Sequence, residues 1–190
     1  MNEKAQKALN ILLKGNEEFR KGTPFASHRT LETMQSLKNR QEPIACIVTC
    51  SDSRVVPELF FNQGFGDLFV VRCAGAVIGE NILESVEYAV NYLKVPLVIV
   101  LSHDDCGVMK KAKEMYPKEP KELELLIRSV YEIIDSETEC YNELARDYTL
   151  TKKRKLLKRS ASLRQAHHDG KFEIIRACLS FDTGEVTILE

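Results

Sequence analysis

Three short runs of uninterrupted apolar residues limit what this chain can build. Residues 44–49 (IACIVT), 68–71 (LFVV) and 96–101 (PLVIVL) are dominated by aliphatic, largely β-branched side chains and show no polar alternation. A strand with one wet face alternates; a strand covered on both faces need not. Between the second and third runs, Ile82, Val86, Ala89 and Leu93 recur at helical spacing. Buried strands separated by helices predict an α/β fold with a mostly parallel sheet flanked by helices. Residues 3–19 carry Ala5, Ala8, Leu9, Leu12, Leu13 and Phe19 near helical spacing, and Gly22-Thr23-Pro24 stops that helix. A second short helix is expected over 30–37. After Cys106 the pattern is helical over 107–115, 122–148 and 151–167. Residues 172–180 and 185–189, joined by Asp182-Thr183-Gly184, read as a closing hairpin. With no linker or repeat, 190 residues suit a single domain spanning 1–190.

Bulk charge removes some functions. The formal net charge is −1, with 29% charged residues, so nothing recruits nucleic acid or an anionic membrane. The basic run 152–159 (KKRKLLKR) reads as a solvated helix face with Leu156 and Leu157 turned inward. Residues 1–20 lack the apolar core of a signal peptide, and the longest apolar run is too short to span a bilayer. A cytoplasmic protein is expected. Its six cysteines, at 46, 50, 73, 106, 140 and 178, are then packing residues or ligands rather than a disulfide framework.

Two loops carry chemistry, each after an apolar run. One is Cys50-Ser51-Asp52-Ser53-Arg54; the other is Ser102-His103-Asp104-Asp105-Cys106-Gly107. Ligands of parallel sheets bind beyond the carboxyl ends of the strands, so neighbouring strands would open both loops into one crevice. Cys50, His103 and Cys106 then offer two thiolates and an imidazole. Zinc accepts that set tetrahedrally and keeps its fourth position free for water or substrate. Each residue alone has a plain alternative: a buried Cys packs and a His caps. Asp52 and Arg54, two apart, can form a bidentate pair. That pair is either structural or functional. In the functional reading Asp52 takes the fourth metal position or accepts a proton from water, and Arg54 decides between these by holding it away.

These segments, in this order, resemble the β-class carbonic anhydrases. The likeness covers Cys50-Ser51-Asp52-Ser53-Arg54-Val55, residues 66–72 (GDLFVVR), Ala74-Gly75, residues 85–90 (SVEYAV), His103-Asp104-Asp105-Cys106-Gly107 and residues 181–186 (FDTGEV). It implies a central, mostly parallel four-stranded sheet with an N-terminal helical arm, residues 1–40, packed on a partner subunit, and a C-terminal hairpin. It also implies a homodimer or larger homo-oligomer. The family's zinc ligands fall on Cys50, His103 and Cys106, and its aspartate–arginine pair on Asp52 and Arg54. Substrate-contacting residues of the plant-like branch fall on Gln41, Phe69 and Tyr88, of which Phe69 alone would read as strand core and Tyr88 as helix packing. The implied reaction is the reversible, zinc-dependent hydration of carbon dioxide to bicarbonate and a proton. Two thiolates make the metal less acidic than imidazoles would, so alkaline pH should favour turnover. Carbon disulfide or carbonyl sulfide hydrolysis on the same site, and a non-catalytic zinc-binding relative, are the alternatives. Three departures bear on them: Cys73 and Ala76 replace the usual asparagines beside the pocket, and Ser102 replaces glycine before the histidine. His28, His167 and His168 are proton-relay candidates by residue type alone.

Overall fold

A computed structural model describes residues 1–23, 28–117, 124–134 and 140–190. Five strands form one sheet: β1 (Ala45–Cys50), β2 (Leu68–Cys73), β3 (Leu97–His103), β4 (Glu173–Leu179) and β5 (Val186–Leu189). Their order is β2-β1-β3-β4-β5. The first four are parallel and β5 is antiparallel to β4. The expected hairpin is therefore part of the sheet: its first arm is the fourth parallel strand, and its second adds a fifth. Gly184, at φ 68°, makes the turn, with its N–H donating to Ser180 O.

The uninterrupted apolar runs are explained by two covered faces. On one, Cys46, Val48, Val98 and Val100 meet Leu83, Val86 and Ala89 of α4 (Glu80–Asn91) and Leu156, Leu163 and Ala166 of α7 (Tyr141–Arg159) and α8 (Ala161–His168). On the other, Ala45, Ile47, Leu97, Ile99 and Leu101 meet Ala5, Ala8, Leu9 and Leu12 of α1 (Glu3–Arg20) and Phe60 of α3 (Pro57–Phe60). The apolar stripe of α1 is thus spent on its own sheet. Asn16 fastens it: its amide donates to Phe60 O and Gly184 O, at 3.0 and 2.8 Å, and its carbonyl accepts from Val186 N–H. Gly15 lets the helix come this close, since a Cβ there would lie 1.8 Å from Phe61 O. In contrast, α2 (Leu31–Ser36) buries none of its residues.

Beyond the strand ends, α5 (Gly107–Met115), α6 (Glu124–Tyr131) and α7 build a third apolar cluster that includes Cys50, Cys106, Met109, Ile127 and Tyr148. Here the helix boundaries differ from the sequence pattern. The helix expected over 122–148 partly lies outside the described residues. Its described part divides into α6, which ends at Tyr131, and α7, which starts at Tyr141 and runs through the expected break near 150 to Arg159. The break comes at Ser160, whose hydroxyl accepts from Leu163 N–H and starts α8. The solvated-face reading of 152–159 fails at one position. Leu156 is buried and Leu157 half-buried, as expected, but Lys152 is also buried, at 2% exposure.

Candidate metal centre

β1 and β3 are hydrogen-bonded neighbours and both end in a chemical residue, Cys50 and His103. The chain leaves β3 through a tight turn, with Asp105 at φ 54°, and Cys106 caps the start of α5. One ligand atom from each of Cys50, His103 and Cys106 lies within 4.8 Å of the other two. All three residues are buried, at 6%, 0% and 3% exposure.

The donor atoms are prepared. Cys50 Sγ accepts from the backbone N–H of Asp52 at 3.4 Å and of Gly75 at 3.3 Å. The Cys106 thiol and these two N–H groups favour the Cys50 thiolate, pulling its pKa well below the ordinary thiol range. His103 Nδ1 lies 2.7 Å from Asp104 O. A carbonyl can only accept, so Nδ1 carries the hydrogen and Nε2 keeps a lone pair. Among the described residues, that Nε2 is buried with no hydrogen-bond partner. An orphaned acceptor beside two sulfurs is what a metal would satisfy, and backbone support of the other ring nitrogen is the usual way a ligating histidine is oriented. The residues therefore fit a zinc ion: bond lengths of about 2.0–2.3 Å suit this spacing with small adjustments, and the donor set is one zinc favours.

Asp52 and Arg54 form the expected pair. Arg54 Nε donates to Oδ1 at 3.0 Å and Nη2 to Oδ2 at 2.8 Å, while Arg54 N–H donates to Oδ1 at 2.9 Å. The Arg54 side chain holds the Asp52 carboxyl down at about 2. Both carboxylate oxygens are thus turned to Arg54, and Asp52 is not among the clustered ligand atoms.

A family profile described as carbonic anhydrase matches residues 45–186. The chain belongs to the β-carbonic anhydrase family. Within it, the chain is 48% identical over 103 residues to the carbonic anhydrase of Mycolicibacterium smegmatis, covering 54% of this chain and 50% of that protein. It is 47% identical over 105 residues to carbonic anhydrase 2 of Mycobacterium tuberculosis, covering 55% and 51%. The chain spans about half the length of these curated relatives. Among solved structures it superposes on the β-carbonic anhydrase CcaA with a TM-score of 0.66 at 27% identity, covering 97% of this chain and 88% of that one. A tetrameric β-carbonic anhydrase of Sordaria macrospora shares the fold at 20% identity and a TM-score of 0.69, covering 97% and 94%.

The other sequence candidates lie elsewhere. Phe69 pairs in register with Cys46, four residues before the level of Cys50. That is about 13 Å along the sheet. Its ring is 6.1 Å from that of Tyr88, which stacks on Tyr92 at 5.4 Å. Gln41 is exposed and precedes β1, at the far end from the ligands. Within one chain, then, Gln41, Phe69 and Tyr88 do not meet the metal centre. His28 lies beside Asp67, before β2, and His167 packs on Phe172, before β4; with exposed His168, these too sit at the far end. Cys46 is a packing thiol, pushed up to about 12 by burial. Cys73 is half-buried opposite Cys50 in register but outside the ligand cluster. Ser102 turns its hydroxyl to Ala177 O at 3.3 Å, and Ala76 lines the buried space at the candidate metal centre.

Three supporting residues escaped the sequence reading of function. Arg72 donates to Cys50 O and Asp52 O, at 3.1 and 2.8 Å, pinning the first loop. Phe181 packs its ring 5.1 Å from His103 and lies 4.3 Å under the Arg54 guanidinium. Lys152 reaches the same buried space. Arg72 and Phe181 stand inside family-like segments, but only the fold shows what they touch. Lys152 had a signal in its spacing: it stands four residues from both Tyr148 and Leu156, which are buried.

Proposed function

We propose that this member of the β-carbonic anhydrase family catalyses the reversible hydration of carbon dioxide at a zinc ion held by Cys50, His103 and Cys106. The observation that carries the reading is the lone pair of His103 Nε2, buried without a partner beside two sulfurs and an Asp52–Arg54 pair. A structural zinc site normally closes with four protein ligands. Here three converge and the nearby carboxylate is restrained by arginine. A bound zinc supplies Lewis acidity that makes water a nucleophile near neutral pH.

The chain's own residues do the rest. Arg54 keeps Asp52 ionised and turned away from the ligands. At about 2, the Asp52 carboxyl is a weak base. Effective general bases have pKa values near the working pH. Asp52 therefore orients water by accepting a hydrogen bond from it rather than by taking its proton. Arg72 and Phe181 hold the Asp52–Arg54 loop and the His103 ring in place.

The active form is a homo-oligomer, at least a dimer. Phe69, Tyr88 and Gln41 can line a carbon dioxide pocket only if a second copy carries them to the site. Two features support this. Tyr88 and Tyr92 are 45% and 76% exposed beside the edge strand β2, and α2 leaves Leu31 and Met34 exposed. No helix among the described residues is long and apolar enough to cross a membrane.

The test is metal analysis and carbon dioxide hydration on one purified sample, with Cys50→Ala and His103→Ala beside it. The parent should carry about one zinc per chain, and each variant should lose metal and hydration together. Full activity in a metal-free variant would refute the proposal. Carbonyl sulfide and carbon disulfide belong in the same assay, since hydrolysis of either without hydration would reassign the substrate.

A further inference from the structure

A small buried space at the candidate metal centre is lined by Cys50, Ala76, His103, Cys106, Met109 and Lys152, among others. Lys152 is the one ammonium-bearing side chain there. It projects from α7, is 2% exposed, and has Nζ 4.6 Å from the Tyr148 ring centroid. Among the described residues no carboxylate pairs with it. The Cys50 and Cys106 sulfurs border the same space, and burial lowers the Lys152 pKa to about 8. Arg146, one and a half turns earlier on α7, points instead to Asp104 at 3.7 Å.

A buried, unpaired ammonium is strongly unfavourable. The aromatic face of Tyr148 offsets part of that. The remainder calls for negative charge in the same space, and the two ligand sulfurs are the groups placed to give it. A methionine would fill this space as well without the charge. The positive charge is the property that needs a use.

We infer that Lys152 is a positioning residue that places a positive charge in the buried space it shares with the Cys50–Cys106 sulfur pair and so favours anions at the metal centre. This rests on the zinc reading above. Two thiolates and a neutral imidazole cancel the charge of a divalent zinc, which leaves the centre with little pull on an anion. A cation in the shared buried space restores that pull. The product of the proposed reaction, bicarbonate, is such an anion, so Lys152 tunes how firmly the site holds it.

The experiment compares the parent with Lys152→Met and Lys152→Gln. Zinc content and melting temperature are measured on the protein as purified. Dissociation constants of azide and imidazole are then measured on cobalt-substituted protein by visible absorption. Both variants should keep metal, and their azide dissociation constants should rise roughly tenfold, the scale of one buried unit charge. Imidazole, which binds neutral, should stay within about twofold of the parent. A general loosening of the pocket would weaken both ligands alike, and that outcome overturns the inference, as does unchanged azide binding in either variant. Parent protein that binds no metal at Cys50, His103 and Cys106 would sink the zinc reading first. Should Lys152→Met fail to fold, the polar Lys152→Gln carries the same comparison.

Discussion

Asp52 and Cys50 are two residues apart and are made anionic by different means. Cys50 is buried, and its thiolate depends on N–H donors from Asp52 and Gly75 and on the Cys106 thiol. Asp52 is held by a forked guanidinium and is far more open to water. Removing the carboxylate while keeping its shape separates their roles. Asp52→Asn should keep zinc and lower turnover by about 10- to 100-fold, the usual effect of losing a partner that orients a metal site. Steady-state hydration with metal analysis checks this; loss of zinc in the variant would make Asp52 a metal ligand instead. The same variant has an acid signature. The folded carboxyl is depressed from 3.8 to about 2, so its contribution to stability is present above about 4 and disappears as pH falls toward 2. Between those values the parent should lose stability more steeply than Asp52→Asn, as read by denaturant titrations at each pH. Much of this was open to sequence reasoning, because ligand type and local spacing are properties of short segments. That both oxygens of Asp52 turn to Arg54 was not, because a two-residue offset permits the pair without choosing its direction.

Short segments between strands shape the centre as much as the ligands do. After β2 the chain makes a 3-10 turn, Ala74–Ala76, in which Gly75 and Ala76 have φ of 62° and 51°. This turn aims Gly75 N–H at Cys50 Sγ, and a Cβ on Gly75 would lie 2.9 Å from a Val108 methyl carbon. Gly75→Ala should therefore destabilise the fold by about 1–3 kcal/mol through left-handed strain and crowding. It should also weaken zinc retention, because the N–H donor moves with the turn. Thermal melting and chelator competition test the two effects, and a variant with parental values in both would deny the turn its role. The glycine stood in a recognisable Ala74-Gly75 segment, but its contact with α5 belongs to tertiary structure. The same limit explains α7. Its run of basic residues looked like a wet surface because composition dominates a short window. The inward stripe of Leu144, Tyr148, Lys152 and Leu156 emerges only when the helix is continued past the expected break near 150.

At the scale of the whole molecule, the order β2-β1-β3-β4-β5 puts β1 and β3 side by side, so loops 50 residues apart in sequence share one crevice. The sequence left that adjacency as a condition, because apolar runs identify strands without saying which of them pair. The antiparallel fifth strand in the same sheet was harder to foresee, since a hairpin can close on a sheet or stand apart from it. Topology also separates what the chemistry needs. The candidate metal ligands gather at the carboxyl ends of the strands, whereas Phe69 and the Tyr88–Tyr92 stack lie toward the other end, at the β2 edge. An exposed aromatic strip beside an edge strand invites pairing with another copy. If that pairing completes the substrate pocket, breaking it should silence the enzyme without touching its metal. Tyr92, 76% exposed and outside the core clusters, is the place to cut. Tyr92→Glu sets a charge at the exposed end of the strip and leaves the monomer's core alone. By sedimentation velocity the variant should run at monomer mass, with zinc content unchanged and hydration reduced at least roughly tenfold, as for loss of a central aromatic anchor. A monomer that keeps parental turnover would show that one chain completes its own site, and would return Phe69 and Tyr88 to ordinary packing.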